Sequence, residues 1–170
     1  MAISNSVHIL VDTNKKTVIK RIGIIDSDEN ETVIIEPLKL FGAINANGQY
    51  YQTGNTTPAG LANSAFTISR IVASVDSEVG HLQLKWQGST SATIWAFGAG
   101  TTDTNPQYQF PSIGNNSIGP TGNVTIRTVG STANAAYTVM IELHKNGAYY
   151  DPGRLTDPAA FNYGAYALKP

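Results

Sequence analysis

The sequence predicts an all-β protein, an antiparallel β-sandwich or jelly-roll-like barrel with long loops and an extended aromatic C-terminal arm. Short runs rich in β-branched and aromatic residues recur along the chain, separated by clusters of Gly, Asn, Pro and Ser. Thr, Gly, Asn and Ser together supply 60 of the 170 residues. No segment has the helical period that the connections of a parallel sheet require, so antiparallel pairing is predicted.

The composition excludes several classes of protein. Apolar residues make up 41% of the chain, too many for a disordered tail. A net charge of -1 provides no field to hold a nucleic acid backbone. With no cysteine there is no disulfide framework and no thiolate site. The first residues lack a secretion signal, and no apolar run reaches the roughly 20 residues that span a bilayer. We expect one soluble domain with neither nucleic acid nor membrane as partner.

Eight segments have the composition of short strands. The strictest alternation places Leu82, Leu84 and Trp86 on a core face and leaves residues 81, 83 and 85 facing water. The core face of the last strand is predicted to be Tyr137, Val139, Ile141 and Leu143. In chain order the predicted strands are 7–11, 17–25, 32–36, 66–73, 81–86, 92–97, 124–129 and 137–144.

Polar turn residues between successive strands predict three hairpins, with loops at 26–31, 88–91 and 130–135. In the first hairpin the register would set Arg21 opposite Glu36, a cross-strand ion pair worth a few tenths of a kcal/mol. These loops would therefore join strands that neighbour each other in one sheet.

Three stretches depart from the strand pattern. Pro37 demotes residues 38–41 to an edge or a new strand. Residues 42–64 and 98–123 are rich in Gly, Pro and Asn, which predicts two long loops. Loops of that length in a compact domain are more often functional than idle.

The C-terminal residues 147–170 are predicted to form an arm outside a single domain at 1–146. A short helix is expected to start at Asp157, because Asp can cap a helix that has Pro158 at its first position. An aromatic-rich arm with little regular pattern must pack on its own domain or on a neighbouring subunit. The predicted protein-interface residues are Tyr50, Tyr51, Tyr149, Tyr150, Phe161, Tyr163 and Tyr166.

Motifs for catalysis or metal binding are incomplete. The histidines fall in three separate strands without metal-ligand spacing; they are His8, His81 and His144. Residues 26–30 resemble the start of a calcium loop, but Glu31 occupies the position of its turn glycine. A solvated turn is the interpretation, with a loose surface calcium site as the alternative. Residues 98–100 begin a Gly-x-Gly motif that lacks its third glycine. We expect no enzyme activity, cofactor or metal.

The two tryptophans offer an alternative of another class. Trp86 and Trp95 lie in adjacent predicted strands, where they would form a stacking platform for sugar rings beside the loop 98–105. Trp86 shares its face with two leucines, however, which favours core packing. A carbohydrate-binding or adhesin-like module therefore stands as the second hypothesis.

Three segments carry a resemblance to a known group of proteins. They are Leu82-x-Leu84-x-Trp86-x-Gly88, Pro120-Thr121-Gly122-Asn123-Val124-x-Ile126 and Tyr137-Thr138-Val139-x-Ile141-Glu142-Leu143-x-Lys145. The region from 66 to 146 resembles small β-rich virion structural proteins of tailed phages, particularly those of cyanobacterial hosts. The resemblance implies a repeated, non-enzymatic building block located in the virion.

The leading hypothesis is a capsid decoration protein that contacts other virion proteins and copies of itself. A neck or tail subunit is the alternative within the same class. Low charge, polar loops and clustered tyrosines agree with this hypothesis, because tyrosine provides large contact area at small entropic cost.

Overall fold

A computed structural model describes residues 2–44, 59–100 and 108–150 of the chain. These ranges contain nine strands and one α-helix, α1 (Ala59–Ser64), which is too short to cross a membrane. Two 3-10 turns lie at Pro37–Lys39 and Ser77–Val79. The strands are β1 (Ala2–Asp12), β2 (Lys16–Ile25), β3 (Thr32–Ile35), β4 (Phe66–Val75), β5 (His81–Thr90), β6 (Ala92–Phe97), β7 (Tyr108–Ile113), β8 (Ile118–Val129) and β9 (Ala135–Lys145).

The strands form two antiparallel sheets that pack face to face, so the predicted β-sandwich is confirmed. One sheet has the order β1-β2-β9-β4-β7 and the other β3-β8-β5-β6. Their pairings are nested along the chain, because β2 pairs with β9, β3 with β8, β4 with β7 and β5 with β6. This nesting is the wiring of a jelly roll, to which β1 adds a fifth strand beside β2.

The core lies between the sheets and is built from the predicted faces. Leu82, Leu84 and Trp86 are buried, as are the four predicted residues of β9. The rings of Trp86 and Phe66 have centroids 5.6 Å apart. Lys85 departs from the predicted wet face, since it is only 9% exposed and forms an ion pair with Glu31.

One of the three predicted hairpins is confirmed and two are wrong. Strands β5 and β6 pair directly, as the turn at 88–91 predicted. The loops at 26–31 and 130–134 instead carry the chain from one sheet to the other. Strand β2 pairs with β1 and β9, and β8 pairs with β3 and β5. Turn residues mark a reversal of the chain but do not reveal whether it stays within one sheet.

The predicted ion pair between Arg21 and Glu36 is also wrong. Arg21 points inward and is 5% exposed, so its charge requires a buried partner. That partner is Glu29, whose Oε1 lies 2.9 Å from Nη2 of Arg21. Glu36 pairs with its near neighbour Lys39 at 2.5 Å.

The described parts of the predicted loops contain regular structure. Pro37 begins a 3-10 turn where an edge or new strand was expected. The region 98–123 contains β7 and the first half of β8, where Pro120 lies opposite Gly88 beside a register shift. Proline and glycine are tolerated at such irregularities, so their presence did not mark a loop.

Candidate functional site

The structure places two of the seven predicted interface residues, Tyr149 and Tyr150, on the chain's own domain. The backbone N–H of Ile44 donates to the Tyr149 carbonyl at 2.9 Å, and Ala43 forms a β-bridge with Tyr150. Tyr149 is half-buried, whereas Tyr150 is fully buried and leaves no surface for a partner. The other predicted residues lie outside the described ranges, as does the predicted helix; they are Tyr50, Tyr51, Phe161, Tyr163 and Tyr166.

Tyr150 belongs to a buried cluster around Lys145. The Lys145 Nζ donates to Asp12 Oδ1 at 2.5 Å and to two backbone carbonyl oxygens, and lies 4.9 Å from the centre of the Tyr150 ring. Burial lowers the pKa of Lys145 to about 8, against the opposing effect of Asp12. Thr17 Oγ1 and the Phe41 N–H also donate to the Asp12 carboxylate. The cluster is closed to a substrate, so we assign it a structural role.

A second buried cluster joins Arg21, Glu29 and Tyr137. The Arg21 Nε donates to the Tyr137 hydroxyl at 3.2 Å, and that hydroxyl donates to the Glu29 carboxylate. Burial, aided by the negative charge of Glu29, raises the pKa of Tyr137 far above its ordinary value of 10.0. The Glu29 N–H donates to Thr128 Oγ1 at 2.8 Å. This cluster anchors the crossing loop 26–31 between the two sheets.

The histidines and tryptophans do not assemble a site in the described ranges. No three His, Asp or Glu side chains there come together in a way that would hold a metal ion. His144 Nε2 lies 3.5 Å from Glu142 Oε1 on the surface. Trp86 is 1% exposed, so half of the possible sugar platform is inaccessible, whereas Trp95 is half-buried.

The most distinctive surface is the outer face of the five-stranded sheet, which sequence reasoning missed. Three of the five exposed large apolar side chains, Leu10, Val11 and Ile24, lie in its first two strands. A groove of about 270 Å³ runs along it, lined in part by Ile22, Ile24, Ser74, Asp76, Ala136 and Thr138. The register aligns four rows across β2, β9 and β4 on this face: Ile24 and Ala136; Ile22, Thr138 and Ser74; Lys20, Met140 and Val72; and Val18, Glu142 and Arg70.

The outer face of the four-stranded sheet has a different chemistry. Gln83 and Arg127 lie opposite each other there, and Gln87 accepts hydrogen bonds from Thr121 and Asn123. Polar side chains that bond one another on a sheet surface suit contact with water. An apolar sheet face is more typical of an interaction surface.

The charges on the five-stranded sheet separate along the strand direction. Lys16 and Arg70 lie toward one end, together with Glu142, whose Oε1 lies 3.0 Å from Lys16 Nζ, whereas Lys20 lies in a middle row. In the loops that follow β2 and β4 at the opposite end are three exposed acids, Asp28, Asp76 and Glu78. Of these, Asp76 borders the outer face beside Ala136. The end of the face with Lys16 and Arg70 is called the basic end, and the end with Asp76 the acidic end.

A signal for this face is present in the sequence. Residues 17–25 contain apolar side chains on both faces of the strand, with Ile19 and Ile25 on one face and Val18, Ile22 and Ile24 on the other. A strand that faces water on one side alternates, whereas a continuous apolar run is typical of a strand covered on both faces. The apolar residues on the second face of this strand therefore indicate a covered surface around Ile22 and Ile24.

Comparison of the chain with protein-family models, with curated proteins and with solved structures returned no significant match.

Proposed function

We propose that this protein is a non-enzymatic structural component of a phage virion, a capsid decoration protein that stabilises the particle through protein–protein contacts. The observation that carries the proposal is the outer face of the five-stranded sheet, with Ile24 39% exposed beside half-buried Ile22 and Met140. A surface of this kind acts by burying area against another protein.

Two further features support the proposal. Jelly rolls recur in viral capsid domains, which is an analogy at the level of fold alone. The most deeply buried charged residues, Asp12, Arg21, Glu29 and Lys145, are engaged in ion pairs that join strands and loops. These buried ion pairs stabilise the sandwich itself, so contacts with other proteins would be made by the surface residues.

The direct experiment is quantitative mass spectrometry of purified particles of a phage that encodes this chain. We expect a copy number on the order of hundreds, because a decoration protein occupies repeated positions of the shell. About six or twelve copies would assign it to the neck or tail in place of the shell. Its absence from washed particles would contradict the structural role itself.

The carbohydrate-binding alternative depends on Trp95, since Trp86 is buried. Tryptophan emission of the full chain, recorded with and without a panel of glycans, separates the two classes. A contact protein is expected to show no change in emission. A saturable shift that disappears in Trp95→Phe would favour the sugar-binding module instead.

A further inference from the structure

We propose that two copies of this chain pair through the outer face of the five-stranded sheet, with their strands running in opposite directions across the contact. The pairing deepens the proposed function, since it names the surface and the partner, yet it does not depend on a virion location. The occupant it assigns to the face is a second copy of this chain.

The first step is the apolar character of the face. Ile24 is 39% exposed, and the groove beside it is lined by residues of the sheet itself together with Asp76. Val11 lies opposite Val18 in the register and is also 39% exposed. Burying such apolar area against a partner lowers the free energy of the complex, because the area is removed from water.

As the second step, the charges at the two ends of the face indicate that the partner is a second copy of the chain. Two copies in face-to-face contact are related by a two-fold axis in the plane of the contact. An axis parallel to the strands would bring like-charged ends together, at a cost in free energy. An axis perpendicular to the strands brings the basic end of one copy over the acidic end of the other. The outer face is therefore complementary to itself in only the second arrangement.

The third step is the alignment of individual residues. If the axis crosses the sheet between the rows of Lys20 and Ile22, β4 of one copy lies over β4 of the other. Arg70 and Asp76 are equally far from that axis along β4, on opposite sides of it. Arg70 of each copy thus lies over Asp76 of its partner. Within one copy, no acidic side chain in the described ranges forms an ion pair with Arg70, so its charge is left to pair across the contact.

The fourth step is the available area. Four strands of about ten residues and the six-residue β7, with a rise of about 3.3 Å per residue and a spacing of about 4.8 Å, cover about 750 Å². This footprint is close to the roughly 800 Å² that one partner contributes to a stable interface. The face is therefore large enough to hold two copies together.

The first experiment is sedimentation equilibrium of the full chain from about 1 to about 100 μM. We expect a reversible dimer in the wild type. Ile24→Lys should raise the dimer dissociation constant on the order of 100-fold, because each copy would bury an ammonium group against the basic end of its partner. Ile118→Lys is the matched control: Ile118 is 68% exposed but lies in the other sheet, so the dimer should persist. Circular dichroism checks that both variants fold.

The second experiment tests the orientation by exchanging charges. Arg70→Asp and Asp76→Arg should each weaken the dimer by about tenfold, since each sets like charges opposite each other. The double variant should recover most of the affinity, because the exchanged pair again has opposite signs. A dimer that the single changes strengthen would place like ends together and would overturn the antiparallel arrangement.

A wild type that stays monomeric from about 1 to about 100 μM would overturn the pairing. In that case the face would be covered by another segment of the chain or by a different protein. A dimer unaffected by Ile24→Lys would also overturn it. Failure of the proposed function is distinguishable, since a protein absent from virions that still forms this dimer loses only its virion role.

Discussion

Tyr150, the last described residue of the chain, packs in the core of the sandwich. Its side chain is fully buried, and its hydroxyl donates to the Pro37 carbonyl oxygen at 3.1 Å. The ring also lies beside the Lys145 ammonium. The sequence predicted this tyrosine as an interface residue and left open whether the arm packs on its own domain or on a neighbouring subunit. A sequence does not distinguish these two kinds of packing for an aromatic side chain.

The first prediction concerns Tyr150. Replacement by Ala should lower the free energy of unfolding by about 3 to 5 kcal/mol, because it leaves a cavity in a packed core. Tyr150→Phe should cost only about 1 kcal/mol, the typical contribution of one hydrogen bond. Urea denaturation measures both. Tyr149→Ala, at the half-buried neighbour, is the control; an equal loss there would contradict the central role of Tyr150.

The ion pair between Lys145 and Asp12 is almost completely removed from water, with side-chain exposures of 0% and 1%. It joins the ends of β9 and β1, which are not neighbours in the sheet. Removing one member leaves the other as a buried charge without its partner, which is strongly destabilising. The pair therefore holds the end of the edge strand β1 close to the end of the central strand β9.

The second prediction is a double-mutant cycle on that pair. Lys145→Met and Asp12→Leu should each cost about 3 to 5 kcal/mol in unfolding free energy. The double variant should cost clearly less than the sum, since it leaves no unpaired charge. Lys39→Met breaks the exposed pair with Glu36 and should cost at most about 1 kcal/mol. Additive losses in the cycle would show that the two buried charges are not coupled.

At the scale of elements, the crossing loop 26–31 carries the chain from β2 in the five-stranded sheet to β3 in the four-stranded sheet. Its acids have specific partners: Glu29 binds Arg21, Asp28 accepts the backbone N–H groups of Gly130 and Ser131, and Glu31 binds Lys85. The loop thus ties β2 to the second crossing loop and to the opposite sheet. A short polar stretch that looks like a solvated turn in the sequence is a bridge in the structure.

The third prediction is a pH dependence of this bridge. Hydrogen bonds from Lys85 and Ser91 lower the pKa of Glu31 below its ordinary value of 4.5. A carboxyl group whose pKa is lower in the folded state stabilises the protein above about pH 4.5 and loses that contribution as the pH falls through the folded-state pKa. Between about pH 5 and 3 the melting temperature of the wild type should therefore fall more steeply than that of Glu31→Gln.

Lys85→Met is the matched variant, because it removes the partner of Glu31 from the other side of the ion pair. Its melting temperature should also fall less steeply with pH than that of the wild type. If Glu31→Gln and the wild type gave parallel curves, the bond between the loop and β5 would contribute nothing to acid stability.

At the scale of the whole molecule, the sequence predicted the class of fold, with a jelly roll among its alternatives, but not which strands pair with each other. Alternation identified the inner faces, because burial on one side leaves a period of two in any strand, as in β5 and β9. The partners of each strand were not readable, since nested pairing joins residues as distant as Lys16 and His144. Hence the hairpin within 81–97 was predicted correctly, and the loops that change sheets were not.

The candidate surface escaped prediction for the same reason. Ile22, Met140 and Val72 come from three strands that are far apart in the chain, and only the register of β2, β9 and β4 makes them neighbours. Each is ordinary when viewed singly, because isolated apolar residues are common on protein surfaces. The aromatic cluster near the C-terminus was prominent in the sequence, yet its first two described members pack on their own domain.

The nested wiring also bears on how the chain is made. Strand β2 lies between β1 and β9, and β9 is the last of the described strands to leave a ribosome. During synthesis β2 can form only a two-stranded ribbon with β1, which is marginal by itself. The apolar side chains of β2 therefore stay exposed to water until nearly the whole domain has emerged and β9 can pair with β2. Unpaired strands tend to aggregate during such a period. Non-local pairing of this kind also folds slowly. We therefore expect the nascent chain, more than the finished protein, to need a chaperone.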